Sequence, residues 1–551
     1  MDTTSTFIKL MAKLPLELQY RVMSFIEWDE YPVEALLQLT LYGSSLLKST
    51  LAEQLLKKIE WDSYTIRIGL GFEIEIDSFS FEMLLDVMKR IRSQTNMQSR
   101  YVTETLNILS LQIVKDYQFK TIFDNTKHLE ISDFESVTRL ISFNTNYLKK
   151  IKRCKINRLM GVNLDHLELL LNENIEVLEV FSEQYGDNDL KYLEIFFEKL
   201  KSINLEQKDL KIILDVRGVS LHRYDFNSLP SFKVPNLHTS LDIESTGSLE
   251  NRQLSKFISK AFGLESITRL SIYFDDAELN EILFLENLKN LKVLKLSENF
   301  KLGSNSRSPV LNLDELDLSD GYANLSNVMA KKMVLEDCEI HRNNIPEGVE
   351  KLIETSSLDW DIVRLPLSLI KLDIRLRNDG LEISFENNID VFKDLLNLKE
   401  LTIFEFAGSP KLSLPPNLQY FDFKLYRSYS NDFIDFDLPG SLRTLAGYTN
   451  VLNHFSKENV PINLETYIVY IKVAGANYVD IMLPKSGLKF LILERLEVDA
   501  EGEDDFENVS LRLYNIKSLL EIEVVGDFTE SVSVMAPNDD PEDLDKIKIL
   551  D

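Results

Sequence analysis

A short unit with apolar residues at its first, fourth and sixth positions recurs along the 551-residue chain, and this recurrence limits the folds open to it. The clearest copies follow a proline. After Pro366 the apolar residues are Leu369, Leu372 and Ile374; after Pro415, Leu418, Phe421 and Phe423; after Pro461, Leu464, Tyr467 and Val469. Pro439 leads Leu442 and Leu445, and Pro346 leads Val349 and Leu352. Pro484, with one inserted residue, leads Leu488, Leu491 and Leu493. Without proline the same core reads "LKVLKL" from Leu291, "LDELDL" from Leu313 and "LKELTI" from Leu398. First apolar positions lie 24 residues apart from Ile267 to Leu291, then 22 to Leu313, and 20 from Val349 to Leu369. Along Leu418, Leu442, Leu464 and Leu488 the gaps are 24, 22 and 24.

The fourth and sixth positions are two apart, so in a strand both side chains project from one face. A single unit cannot bury that face; stacked copies make a continuous core. Proline has no N–H for a strand ladder, so it belongs where the chain turns in toward the strand. The period, and the extended copy "LKVLKLSEN" ending at Asn299, match the leucine-rich repeat. Weaker copies run back through "VPNLHTSLDIES" (234–245), "LKSINLEQ" (200–207), "IEVLEVF" (175–181), "LDHLELLL" (164–171), "TKHLEISDF" (126–134) and "TETLNILSLQ" (103–112). The expected fold is therefore α/β, a leucine-rich-repeat solenoid over 103–534 whose parallel strands form a horseshoe or arc. At this period it holds about eighteen units, with loops or short helices on the outer side. Residues 63–102 are a transition, "EVDAEGEDDFENVS" (497–510) an inserted acidic loop, and 535–551 an acidic tail.

The segment "LPLELQYRVMSFIEW" (14–28) starts like a repeat and then departs from it, because Arg21 stands six after Pro15, where the repeats are apolar. Leu14, Leu18, Val22, Phe25 and Ile26 follow helical spacing instead, with Pro15 in the first turn and Glu17 beside the positive helix end. Pro32 starts a second helix, "PVEALLQLTL". Ser44 and Ser45 cap a third that carries Leu47, Leu51, Leu55 and Ile59.

Three short helices opening on "LPLEL" ahead of leucine-rich repeats resemble the F-box family of leucine-rich-repeat proteins. The matching residues are Leu14, Pro15, Glu17, Leu18, Val22, Phe25 and Ile26, then Leu36, Leu37 and Leu39. The resemblance implies that residues 1–62 form a small all-α head that docks the Skp-type adaptor, and through it the cullin scaffold, of an SCF-type ubiquitin ligase. It also implies that the array holds the substrate protein and that the chain performs no bond chemistry itself. The alternative is that the head acts only as an N-terminal cap of an interaction scaffold with no role in ubiquitination, since an open repeat core must be closed. A third reading, an activator of a small GTPase, fits less well, because the units are short and proline-led.

Composition narrows the partners. A formal charge of −28, from 89 acidic and 61 basic residues, repels phosphate backbones, so nucleic acid is not expected. The basic run "KKIKRCKINR" (149–158) spaces Ile151, Cys154 and Ile156 through its charges, as on an element with one solvated face. Two distant cysteines, Cys154 and Cys338, suit a reducing compartment, cytosol or nucleus. No apolar run approaches the roughly 20 residues of a membrane span, and the first residues lack a signal-peptide pattern. There is no phosphate loop, and "IRIGLGFEIEID" alternates like a strand. The six histidines are scattered, His128 and His166 falling on surface positions of repeat units, so no catalytic, cofactor or metal-ligating residue is assigned. Among repeat residues, Tyr420 precedes the inward Phe421 and is expected to face outward as a candidate substrate contact; Tyr467 occupies an inward slot.

Overall fold

The structure is a computed structural model. It describes residues 33–42, 55–61 (less 57), 65–68, 72–93 (less 77), 105–108, 126–131, 149, 151–159 (less 158), 167, 171, 174–183, 189–203, 209–221, 229–244 and 251–274. Beyond these it describes 280–303 (less 283), 310–375 (less 356), 390–404, 412–424, 437–455, 461–471 (less 462), 478–495 (less 485 and 486), 510–525, 533–536, 544 and 547–550. The chain divides into two units, Met1–Leu270 and Ser271–Asp551.

In the first unit, helix α1 (Val33–Tyr42) precedes strand β1 (Lys58–Trp61), which pairs antiparallel with β2 (Thr65–Ile68), itself antiparallel to β3 (Glu73–Glu75). Helix α2 (Phe79–Ser93) follows, its buried stripe Phe81, Leu84, Leu85 and Met88 at helical spacing. Next come β4 (Thr105–Ile108), β5 (His128–Ile131), β6 (Arg153–Ile156), β7 (Val177–Glu183), α3 (Asp189–Ser202), β8 (Lys211–Arg217) and β9 (Leu237–Ile243). From β4 to β9 each strand pairs in parallel with the one before, and β4 pairs in parallel with β1. Leu129, Ile131, Cys154, Ile156, Leu178, Val180, Ile212 and Leu214 are each at most 1% exposed, which is the inward stacking expected of the repeat. Helices α3 and α4 (Asn251–Ala261) add a second apolar layer. Its spine is a chain of rings: Phe196–Phe197 at 5.5 Å, Phe197–Phe232 at 5.4 Å, Phe232–Phe262 at 5.2 Å and Phe257–Phe262 at 5.9 Å. Strand β10 (Ile267–Tyr273) ends the unit and crosses the division.

Four expectations are corrected here. The third head helix does not reach Ile59, because Lys58–Trp61 is a strand of the array, with Trp61 fully buried and edge-on to Phe81 at 6.4 Å. The array therefore begins inside the expected 1–62 head. The alternating "IRIGLGFEIEID" is a two-strand hairpin, not one strand. "LKSINLEQ" opens as the last turn of α3, and Leu167 in "LDHLELLL" is helical, so at Leu200–Ser202 and at Leu167 the expected strand is helix instead. Finally, the acidic tail carries a strand of its own, described below. The residues Leu14, Pro15, Glu17, Leu18, Val22, Phe25 and Ile26 and the acidic loop 497–509 lie outside the described residues.

The second unit opens with β11 (Asn280–Ile282), β12 (Val293–Ser297), β13 (Phe300–Leu302), β14 (Leu311–Ser319), β15 (Tyr322–Ala323), β16 (Val328–Glu336) and β17 (Glu339–Ile340). It continues through β18 (Lys351–Thr355), β19 (Lys371–Arg375), β20 (Glu400–Phe404), β21 (Tyr420–Lys424), β22 (Thr444–Tyr448), α5 (Thr449–Phe455) and β23 (Thr466–Ile471). It closes with β24 (Tyr478–Met482), β25 (Phe490–Arg495), β26 (Ser510–Tyr514), β27 (Glu521–Val525), β28 (Ser533–Met535) and β29 (Lys548–Leu550). The main sheet runs β12, β14, β16, β18 to β23, β25, β27 and β29, every neighbouring pair parallel. Two smaller parallel sheets, β11–β13–β15–β17 and β24–β26–β28, form from the chain beyond each main strand. Corners between β12 and β13, β14 and β15, and β16 and β17 use left-handed backbone at Glu298, Asn299, Asp320 and Asp337. The N–H of Asn299, the consensus asparagine, donates to Asp320 O at 2.8 Å. Gly303 (φ +76°) lies against the Asn324 carbonyl with no room for a Cβ.

The proline-led units share one entry. Leu369, Leu418, Leu442 and Leu464 each donate their N–H to the carbonyl of the proline three residues earlier, at 3.3, 3.3, 3.0 and 3.1 Å. The strand starts five residues after each of Pro366, Pro415, Pro439 and Pro461, so the proline sits in a turn, where its missing N–H is not needed. Just before the first leucine, a polar side chain ties each turn to the previous one. Asn397 Nδ2 donates to Leu367 O at 2.9 Å, Asn417 to Leu396 O at 2.9 Å, Ser441 Oγ to Pro416 O at 2.7 Å and Asn463 to Gly440 O at 2.8 Å. The inward residues Leu369, Leu372, Ile374, Leu418, Phe421, Phe423, Leu442, Leu445, Tyr467 and Val469 are all 0% exposed. The Pro439 unit lacks a third apolar side chain because Gly447 fills that place, in register between Phe423 and Val469.

One inward place is acidic. Glu354 on β18 is 0% exposed, in register between Leu335 and Ile374, and its Oε1 accepts the N–H of Ser357 at 2.6 Å and of Leu358 at 2.9 Å. Burial pushes its carboxyl up to about 7, against those two bonds.

Candidate functional site

Residues that alternate with the inward ones form the open face of each main sheet, most of them half-buried or exposed and a few, such as Asp373 and Ala446, buried. In the first unit that face is laced with cross-strand ion pairs. Lys152 meets Glu176 at 2.6 Å, Arg153 meets Glu179, Lys155 meets Glu130 at 2.8 Å, and Asn157 donates to the same Glu130 at 3.0 Å. Within the basic run 149–158, Arg153–Ile156 is thus a strand, Ile151, Cys154 and Ile156 are fully buried, and Lys152, Arg153 and Lys155 face acids of neighbouring units. Arg217 pairs with Asp215 at 3.0 Å and lies 5.0 Å over the Phe181 ring. His128 is half-buried on β5; His166 lies outside the described residues.

The second unit begins in the same style. Lys295 pairs with Asp317, Lys332 with Glu315 at 3.0 Å, Arg375 with Asp373 at 2.6 Å and Lys371 with Glu400 at 2.6 Å. Across β20 to β25 the character changes. The open positions there include Phe404, Tyr420, Asp422, Tyr448, Tyr470, Phe490 and Glu494. Asp422 and Tyr470 are each 4% exposed although both stand on the open side, and the Tyr470 hydroxyl donates to Asp422 Oδ2 at 2.9 Å across the intervening strand. That span is open because Ala446, next to Asp422 in register, has only a methyl group. Tyr448 is edge-on to Tyr470 at 6.1 Å. Burial, helped by the charge of Asp422 and opposed by the neighbouring Tyr470 hydroxyl, pushes the Tyr420 hydroxyl up to about 12. The Tyr470 hydroxyl is raised further by burial and then by Asp422, Tyr420 and Glu494. Phe490 is 38% exposed at the margin.

Tyr420 thus stands half-buried on the open face, opposite in direction to Phe421, and Tyr467 is core. Its partners Asp422, Tyr448 and Tyr470 were not singled out from sequence, although aligning the units on their prolines places Tyr420 five residues on, Asp422 seven on, and Tyr448 and Tyr470 nine on. Of the expected adaptor-binding residues, Leu36 and Leu37 lie on α1 and are fully buried within the chain. Leu39 is in the same helix, its side chain outside the described residues. Helix α1 is joined to the array side of the unit where Ser80 of α2 donates to Glu34. Among the described residues no three His, Cys, Asp or Glu are grouped to hold a metal, and no helix is long and apolar enough to cross a membrane.

Charge separates the two units. Residues 271–551 hold 51 acidic and 28 basic side chains, against 38 and 33 in 1–270, so −23 of the −28 belongs to the unit with the aromatic face.

No protein-family model matches this chain. No curated protein matches it. Among solved structures it is similar to CroV588, described as a novel circular LRR protein structure, at 14% identity over 76% of this chain and 68% of that one, with a TM-score of 0.32. The solenoid assignment rests on the parallel register of the strands, not on this likeness.

Proposed function

We propose that the chain is a protein-recognition scaffold whose open sheet face on β20 to β25 receives a partner protein. The observation that carries this is the change in that face from cross-strand ion pairs to a cluster of tyrosines around Asp422. Half-exposed aromatic residues on a rigid sheet give large contact area at small entropic cost, which is what a protein contact needs.

We further propose that the N-terminal region acts as an F-box-like head for a Skp-type adaptor, making the chain a substrate receptor of an SCF-type ligase. Supporting this are the order of the parts, the helical spacing from Leu14 to Ile26, and helix α1 where the second helix of such a head falls. Catalysis would then be positional, raising the local concentration of substrate lysines near a ligase-bound ubiquitin carrier. The buried state of Leu36 and Leu37 favours a second role for the same region, closing the end of the repeat core.

Affinity purification of the full chain, with identification of co-purifying proteins, tests the reading. Deleting 1–62 is the wrong comparison because it removes β1. Full chains with Leu14, Leu18 and Val22 replaced by Asp should lose a Skp-type adaptor while keeping other partners. An adaptor retained by that variant, or absent from the parent chain, overturns the ligase reading and leaves the scaffold reading in place.

A further inference from the structure

We infer that Glu354 and the segment 357–364 form a proton-operated latch: with its proton, Glu354 holds the segment down, and without it the segment lifts and uncovers Leu358, Trp360 and Val363. Glu354 occupies a place that the repeat gives to an apolar residue. Leu296, Leu318, Leu335, Ile374, Ile403 and Phe423 stand with it in one in-register column, each 0% exposed, and the acid interrupts that column between Leu335 and Ile374. A leucine there would satisfy the repeat, and departures from a local rule gather where a protein has another task to perform.

The segment hangs on side chains. Ser357 and Leu358 donate their N–H groups to Glu354 Oε1 at 2.6 and 2.9 Å, Asp359 donates to Asn343 Oδ1 at 3.2 Å, and Asp361 donates to Asp359 Oδ1 at 3.1 Å. Four backbone amides thus rest on side chains instead of a sheet ladder, two of them on one carboxyl. The Ser357 hydroxyl accepts the N–H of Cys338 at 2.9 Å, which ties the segment to the corner after β16. Leu358, Trp360 and Val363 are buried, the Trp360 ring 6.1 Å from Phe392, whereas Ile362 is 61% exposed. The other carboxyl oxygen, Oε2, is buried and accepts no hydrogen bond from any described residue, with the Trp360 side chain near enough to ease its charge in part. An oxygen so placed suits a proton and penalises a charge. The ionisable groups around it are Asp337 and Cys338 at the corner and Asp359, Asp361 and Arg364 in the segment. Asp337 opposes ionisation, Cys338 stays a neutral thiol, and Asp359 and Arg364 are exposed. His341, in the turn that carries Asn343, shares a hydrogen bond with the Tyr322 hydroxyl at 2.9 Å. Segments outside a sheet open more readily than its strands, so the release stays local.

The test is hydrogen exchange of the full chain from pH 5 to 8, read as the ratio of parent to Glu354→Gln. In that ratio the intrinsic exchange rate and every other titrating group, His341 included, cancel. For peptides covering 357–364 it should rise by up to about 70-fold, the factor set over that range by a carboxyl near 7 when held and 4.5 when released. Peptides covering 371–375 of β19 should change less than about twofold. A ratio that stays flat with pH overturns the latch. An equal rise over 371–375 overturns it as well, because the strands would then loosen together with the segment. Should Glu354→Gln fail to fold, exchange of 357–364 against 371–375 within the parent chain decides by the same outcomes, since both share one intrinsic pH dependence.

Discussion

Replacing Glu354 by Gln should abolish a pH dependence that this one side chain imposes on the second unit. The carboxyl has an ordinary value near 4.5 when the chain is unfolded and about 7 in the fold, raised chiefly by burial, with the charge of Asp337 adding to it. Its folded value is above its unfolded value, so the native state binds the proton more tightly. The stability it contributes is complete below pH 4.5 and is lost as pH rises through about 7. The distance between those values corresponds to about 3 kcal/mol at 1.36 kcal/mol per pKa step. Gln keeps an oxygen for the N–H groups of Ser357 and Leu358 and never ionises. Above pH 7 the variant should therefore be the more stable chain by up to about 3 kcal/mol, less whatever the charged oxygen gains from its two N–H bonds. Below pH 5 the two should be within about 1 kcal/mol. Because long repeat arrays do not unfold in a single step, the measurement is local: hydrogen exchange of peptides spanning 351–360, in parent and variant, from pH 5 to 8. The difference between the two chains cancels every other titrating group. A difference that stays flat with pH, or that grows toward low pH, refutes the reasoning.

Three further outcomes follow from described contacts. Asn417→Ala removes the bond to Leu396 O and should cost about 1 kcal/mol, read as faster exchange in the 412–424 turn and strand. Gly303→Ala forces a side chain into left-handed backbone against the Asn324 carbonyl and should cost about 2 kcal/mol or more, read as faster hydrogen exchange in β13 and β15. Both thiols should resist alkylation in the native chain and react on unfolding, since burial raises Cys338 to about 12 and Cys154 further still; fast native labelling of Cys154 would show that β6 does not stack as described.

The inward pattern of the array was legible in the sequence because each unit encodes it locally. Every first, fourth and sixth apolar residue named in the complete proline-led units is core. What misled was competition between periods. Leu200 reads as the start of a unit, yet Leu190, Leu193, Phe196, Phe197 and Leu200 follow helical spacing, and helix won because those rings reach Phe232. Ile59 lies four beyond Leu55 and also two before Trp61, so either element was open; pairing with Thr105–Ile108 decided for strand, and that partner is distant in sequence. Acidity hid the strand Lys548–Leu550, whose support comes from Glu521–Glu523. The Asp422–Tyr470 bond joins residues 48 apart, visible only when units are aligned and stacked.

The constant offset between proline and strand makes the open face addressable. Residues five, seven and nine places after Pro366, Pro415, Pro439 and Pro461 fall in three rows, Lys371–Tyr420–Thr444–Thr466, Asp373–Asp422–Ala446–Ile468 and Arg375–Lys424–Tyr448–Tyr470, with Glu400, Thr402 and Phe404 of the proline-free β20 unit between the first two columns. Unit length changes between the end of one strand and the next turn, so insertions there leave the rows in step. Specificity can then drift or be engineered one grid square at a time, by substitution at a known row and column, while the leucines beneath keep the frame unchanged.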